Sequence, residues 1–225
     1  MDDQIFSISC TVENYPLQKF SQKYMDDLKN NNVDGCDVLL ICYEDEENLG
    51  IRSIAAYLTK HGVRAKIEPY QGTSNDKILE RILVEEPKIV GFSLIFQKML
   101  FDFADLMAYL RRKGVIAHFT IGGHFPTLEF KETLEAIPEL DTVVRHEGEQ
   151  TLLELFQYLY LPDRWSQIKG LVYRKDGGIE VTPPRPLIRD LDILPFLVRS
   201  DRVVTHRGLG VSSILASGTS SVCCL

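Results

Sequence analysis

The sequence predicts an α/β domain: a doubly wound, mainly parallel five-stranded sheet followed by a C-terminal β-hairpin and a linker. Three observations predict it. Short continuous apolar runs of strand length recur along the chain, as expected for strands buried on both faces. Between them lie stretches with apolar residues at helical spacing, long enough to carry the chain across a sheet and return it parallel. Gly62, Pro87 and Gly114 close three of these stretches, where helices are expected to stop.

Residues 1 to about 32 are a polar lead in which Leu17 to Leu28 reads as a short helix broken at Asn30-Asn31-Asn32. The first strand is Asp37 to Tyr43, followed by the acidic loop 44–50 and a helix over Ile51 to Lys60, apolar at 51, 54, 55 and 58. Arg64 to Pro69 gives the second strand, and Ser74 or Asn75 caps a helix to about Glu85. Lys88 to Leu94 is the third strand, with a helix from about Leu100 to Arg112. The fourth, Val115 to Ile121, runs into Gly122-Gly123-His124-Phe125-Pro126-Thr127. Pro126 then fixes the start of a helix over Leu128 to Ile137. Asp141 to Arg145 is the fifth strand, and a last helix runs to about Tyr160.

Beyond Pro162 the periodicity changes. Runs at 168–174 and 178–181 flank Lys175-Asp176-Gly177, an Asp-Gly hairpin signal. Thr182-Pro183-Pro184-Arg185-Pro186 is a stiff, extended exit, and Ile188 to Pro195 is a linker. The expected organisation is therefore 1–34 polar extension, 35–161 ligand-binding domain, 162–199 hairpin and linker, and 200–225 the start of a further domain or a Ser/Gly-rich tail.

Composition narrows the partners. The formal net charge of −7 argues against nucleic-acid and anionic-membrane partners. The sequence has no apolar run of about 18 residues and its start lacks a signal-peptide pattern, so a cytoplasmic protein is expected. Five irregularly spaced cysteines (Cys10, Cys36, Cys42, Cys223, Cys224) fit reduced thiols better than a disulfide framework.

In a doubly wound sheet, ligands bind outside the carboxyl ends of the strands, where strand order reverses. The informative loops are thus 43–50, 93–98, 122–127 and 146–151. A Gly-x-Gly-x-x-Gly loop is absent after the first strand and a Walker loop is absent too, which removes the main support for a dinucleotide or nucleoside-triphosphate ligand. The third strand ends Gly91-Phe92-Ser93, without the aspartate that a phospho-acceptor receiver domain requires.

What remains is an ordered set: a buried strand, Asp45-x-Glu47-x-x-Gly50, a third strand ending in Ser93, Gly122-Gly123-His124-Phe125-Pro126-Thr127, and Glu147-Gly148-Glu149. In this order the set resembles the cobalamin-binding domain at the amino end of cobalamin-dependent radical S-adenosylmethionine (SAM) enzymes, over about Asp37 to Pro195. The resemblance implies a Rossmann-like, flavodoxin-like cobalamin-binding fold and a small-molecule cofactor, cobalamin. The residues it assigns to the cofactor are Asn48, Leu49, Gly50, Ser93, Leu94, Gly122, Gly123, His124, Phe125, Glu147 and Gly148. In this reading Gly50 lets the nucleotide tail pass the helix start, Ser93 hydrogen-bonds it, and Gly122 and Gly123 offer bare backbone. His124 either faces the cofactor edge or is an ordinary loop histidine held by backbone; His146 is a strand-end residue.

Two departures limit what the resemblance carries. Glu47 stands where the wider fold places a histidine on cobalt, so no protein histidine is expected on the metal from this loop, and no metal-ligand set is assigned. The three-cysteine pattern that holds an iron-sulfur cluster in the catalytic half is missing: the chain reads Ser213 to Val222 and then Cys223-Cys224-Leu225. The iron-sulfur cluster and SAM are thus expected only in intact relatives. No catalytic residue is assigned, and the expected entity is a cobalamin-binding module truncated before the catalytic barrel, with a separate catalytic domain or chain as partner. The alternative is a non-catalytic α/β interaction domain or inactive fragment without cofactor.

Overall fold

In a computed structural model, residues 35–44, 48–70, 72–190 and 193–197 are described in full, and 204–206 and 209–211 by their backbone. The predicted helix at Leu17 to Leu28 and the Cys223-Cys224 end lie outside the described residues.

The strands are β1 (Val38–Cys42), β2 (Ala65–Pro69), β3 (Ile89–Ser93), β4 (His118–Gly122), β5 (Thr142–Val144), β6 (Leu171–Lys175) and β7 (Gly178–Val181), in one sheet ordered β2-β1-β3-β4-β5-β6-β7. The first five are parallel; β6 and β7 are antiparallel additions. The hairpin therefore continues the same sheet. Its turn has Asp176 at φ 49° and Gly177 at φ 78°, the pair of positive values that a tight two-residue hairpin requires. Two further strands, β8 (Val204–His206) and β9 (Leu209–Val211), pair antiparallel as a separate ribbon.

The helices are α1 (Leu49–Lys60), α2 (Asn75–Glu85), α3 (Leu100–Arg112), α4 (His124–Leu128), α5 (Phe130–Ala136) and α6 (Gly148–Gln157). They cover both faces, and β1 shows why. Leu39 and Ile41 pack with Phe92, Phe119, Phe103 of α3 and Leu134 of α5. Val38, Leu40 and Cys42 pack on the other face with Ile54 and Leu58 of α1 and Leu152 of α6. Every β1 side chain is fully buried, so truncating one, as in Leu40→Ala, removes transfer energy and leaves a cavity, about 2–5 kcal/mol.

Several boundaries differ from the sequence reading. Strand β4 starts at His118, three residues later than expected. The α3 end explains it: Gly114 is left-handed at φ 86° and the Val115 N–H bonds the Leu110 carbonyl, so Val115 belongs to the helix cap. The Arg111 guanidinium, stacked 3.7 Å from the Phe119 ring centre, also donates to the Val115 and Ala117 carbonyls at 2.9 and 2.8 Å. The helix expected over Leu128 to Ile137 is two short ones, α4 and α5, broken at Glu129. Pro126 lies inside the first turn of α4, where its missing N–H breaks no helical bond. The last helix stops at Gln157 rather than near Tyr160.

Candidate functional site

The carboxyl ends of four parallel strands stand level. Cys42 pairs with Ser93, Ser93 with Gly122, and Gly122 with Val144. The strand order places the topological switch between β1 and β3, because the chain leaves β1 in one direction to β2 and returns on its other side as β3.

Asn48 bridges that switch. It is the N-cap of α1, its Oδ1 accepting the Ile51 N–H at 3.2 Å, while its Nδ2 donates to Ser93 Oγ at 3.1 Å. Leu49 and Gly50 form the first turn of α1, with Gly50 buried. Leu94 is buried and its N–H bonds the Gly122 carbonyl at 2.8 Å, which holds the β3 and β4 exits together. Gly122 ends β4 in ordinary strand conformation. Gly123 follows at φ 115°, ψ −171°, a region open essentially to glycine alone. His124 is exposed at the start of α4, and Phe125 is half-buried against the core.

Glu147 and Gly148 lie at the start of α6, but the Glu147 carboxylate is already engaged: its Oε2 accepts the Ile188 N–H of the linker at 2.6 Å. The fold thus gathers Asn48, Ser93, Leu94 and Gly122 by direct bonds or strand pairing, with Gly123 next in the chain. Glu147 is turned toward the linker. Glu47 lies outside the described residues.

The sequence reading missed several groups around this edge. Thr127 is buried and its Oγ1 accepts the His146 N–H at 3.0 Å, tying the β4 and β5 exits. His146 holds φ 63°, rare for a residue with a side chain, and its Nε2 is buried without a partner among the described residues. Burial, then the Arg145 charge, lowers its pKa. Glu149 is 5% exposed; its Oε1 accepts from Ser53 Oγ at 2.7 Å, its Oε2 has no partner among the described residues, and burial raises its pKa. Glu44, just past β1, forms a buried ion pair with Arg52 of α1. The acidic character of loop 44–50 was legible, but the pairing of its first carboxylate with a helix arginine eight residues on was not.

The rim is apolar. Phe96 in the β3 loop is 58% exposed, Phe101 at the start of α3 70%, and Leu128 at the end of α4 74%. Among the described residues no group of three or more His, Cys, Asp or Glu is arranged to hold a metal ion. The edge therefore combines side-chain-free, buried backbone at Gly122-Gly123, neutral polar groups at Asn48 and the buried Ser93, and large exposed apolar side chains. This donor set fits a broad cofactor with apolar faces and an amide-bearing periphery, which is the chemistry of a corrinoid.

Comparisons with known proteins agree. The family described as "B12 binding domain" matches residues 36–156, more than half of the chain. Among curated proteins, the chain is 35% identical over 148 residues to an anaerobic magnesium-protoporphyrin IX monomethyl ester cyclase of Synechocystis sp., covering 64% of this chain and 30% of that protein. It is 32% identical over 111 residues to an uncharacterized methyltransferase of Pyrococcus horikoshii, covering 49% of this chain and 24% of that protein. The chain thus spans less than a third of the length of these relatives. Among solved structures, the cobalamin-dependent SAM radical enzyme OxsB with aqua-cobalamin and SAM bound superposes with a TM-score of 0.60 at 22% identity, over 72% of this chain and 24% of that one. The radical SAM methyltransferase TsrM of Kitasatospora setae, with cobalamin and a [4Fe-4S] cluster bound, gives 0.55 at 17% identity, over 79% and 31%. At these identities the structural likeness concerns the fold. With the family match over most of the sheet, the chain belongs to the B12-binding domain family, as a cobalamin-binding module that shares its fold with part of the radical SAM enzymes OxsB and TsrM.

Proposed function

We propose that the chain holds cobalamin against the carboxyl edge of β1, β3 and β4 and presents it to a catalytic domain that is not contained in residues 35–197. The observation that carries this reading is the side-chain-free Gly122-Gly123 step, level with Ser93 on the neighbouring strand and beside the switch point. Bound there, cobalamin supplies a corrin-held cobalt able to take up and hand on a one-carbon group. The chain's own residues hold and orient it. Ser93 and Asn48 present hydroxyl and amide groups to the cofactor's polar tail. Gly122, Gly123 and Leu94 allow close approach of backbone, and Gly50 keeps the α1 start clear. Phe96 and Leu128 cover apolar surface. His124 is exposed at the rim and is not needed as a cobalt ligand, and the Glu47 position supplies no imidazole.

In this proposal the chain comprises a polar extension over 1–34, a cofactor domain over 35–161, a hairpin and linker over 162–199, and over 200–225 the start of a further domain or a Ser/Gly-rich tail. The relatives' names support a role beside methyl transfer or ring-forming chemistry, carried out by parts beyond this module. Among the described residues no helix is long and apolar enough to cross a membrane. A cytoplasmic setting is in keeping with the free, buried thiols of Cys36 and Cys42.

The test is a substitution that fills the step at a backbone conformation side chains can adopt. Leu at Gly123 is unsuitable, because φ 115° strains any side chain whatever the space. Gly122 lies in strand conformation, so Gly122→Val is expected to weaken hydroxocobalamin binding in equilibrium dialysis at least tenfold, with circular dichroism checking that the sheet is kept. Gly178→Ala in β7, where a Cβ meets only the Lys175 carbonyl at 3.6 Å, is expected to bind as wild type. Equal affinity for the Gly122→Val chain would move the site elsewhere.

A further inference from the structure

The linker after β7 is fastened to the domain at several points, and one fastening comes from the ligand edge itself. Arg185 has a side chain only 9% exposed. Its Nε donates to Thr151 Oγ1 at 2.9 Å, its Nη1 to Gln150 Oε1 at 3.1 Å, and its Nη2 pairs with Glu154, all on α6. The Gly170 N–H bonds the Pro183 carbonyl at 2.8 Å, and Lys60 Nζ at the end of α1 donates to the Ile193 carbonyl at 2.7 Å. Pro183, Pro184 and Pro186 leave the segment little backbone freedom, so a few anchors fix its path.

A further anchor is Glu147. Its carboxylate accepts the Ile188 N–H at 2.6 Å, a charge-assisted bond. The preceding residue, His146, is held in left-handed backbone conformation with its N–H on Thr127 Oγ1. Thr127 lies in α4, which starts immediately after Gly123. An unbroken path of bonds therefore runs from the Gly122-Gly123 step through Thr127, His146 and Glu147 to the linker.

We infer that Glu147 is a positioning residue that couples occupancy of the carboxyl edge to the seating of the linker, so that the bound cofactor tightens the path along which the chain leaves the domain. The inference rests on the proposed cobalamin site. A ligand resting on the glycine step orders the β4 and β5 exits, and a bond springing from an ordered loop opens less often. The consequence is mechanical: whatever follows Ile188 is held in one place when the cofactor is present and less firmly when it is absent.

Hydrogen exchange at the Ile188 amide in the full chain reads this directly, with circular dichroism confirming the fold of each variant. Without cofactor, Glu147→Ala is expected to speed Ile188 exchange about tenfold or more, the effect of losing a bond to a charged acceptor. Glu147→Gln, which keeps a neutral acceptor, is expected to fall between it and wild type. Saturation with hydroxocobalamin is expected to slow Ile188 exchange several-fold in wild type and to leave Glu147→Ala unchanged, with corrin absorbance retained by both. Ile188 exchange in Glu147→Ala equal to wild type would overturn the anchor. Retained corrin absorbance with unchanged Ile188 exchange in wild type would overturn the coupling alone, loss of corrin absorbance in wild type would overturn the cobalamin site and the coupling together, and its loss in Glu147→Ala alone would overturn the positioning role by placing Glu147 in the binding site.

Discussion

Replacing Asn48 with alanine tests the switch-point geometry through stability. The side chain does two jobs. Its Oδ1 caps α1 through the Ile51 N–H, worth about 1 kcal/mol. Its Nδ2 donates to Ser93 Oγ, and Ser93 is only 3% exposed, so its hydroxyl loses a partner where water reaches it poorly, costing about 1–2 kcal/mol. The sum, about 2–3 kcal/mol, corresponds to a fall in Tm of roughly 5–10 °C for a domain of this size. Ser93→Ala removes only the shared bond and is expected to cost about 1 kcal/mol, so the double variant falls short of the sum of the singles. Asn48→Asp keeps the cap, places negative charge at a helix start and can accept from the Ser93 hydroxyl, so it is expected within about 0.5 kcal/mol of wild type. Thermal denaturation followed by circular dichroism measures all four. An Asn48→Ala chain melting within about 1 °C of wild type, or single effects that simply add, would refute the bridge.

Two further outcomes follow from the buried groups. Burial raises the Glu149 pKa above its usual 4.5, so the folded state binds this proton more tightly than the unfolded chain. Its contribution to stability is therefore complete below about pH 4.5 and is lost as pH rises through the raised value. Glu149→Gln is expected to remove that loss and flatten the pH dependence of denaturant midpoints above pH 4.5; an unchanged profile would show that Glu149 is not the titrating group. The thiols of Cys36, its pKa pushed up to about 12, and of Cys42, raised further by burial, are expected to resist iodoacetamide in the native chain and react on unfolding. Peptide mapping by mass spectrometry distinguishes them from the other cysteines, and native labelling of Cys42 would contradict the closed β1 end.

Much of the fold was legible because strand and helix are coded by local spacing. The α3 limits and the Ser74 cap of α2 could be read directly, since an apolar stripe and a capping hydroxyl are both local signals. The late start of β4 was not legible, because it depends on Arg111 donating to carbonyls that a strand would otherwise use. The hairpin was visible in Asp176-Gly177, but its joining the main sheet depends on pairing of β6 with β5, a contact between distant segments. At the site, the glycine step and Ser93 stood out as strand ends. The link from Thr127 to His146, and the capture of Glu147 by the linker, join residues 19 and 41 positions apart, and no local pattern announces them.

The measurement that tests the central claim most directly is the visible absorption spectrum of the purified chain after incubation with hydroxocobalamin and desalting, compared with free cofactor. The account predicts corrin bands that stay with the protein, without the signature of an imidazole-ligated cobalt. A colourless protein after desalting would contradict it, leaving the sheet and its family membership without a working site.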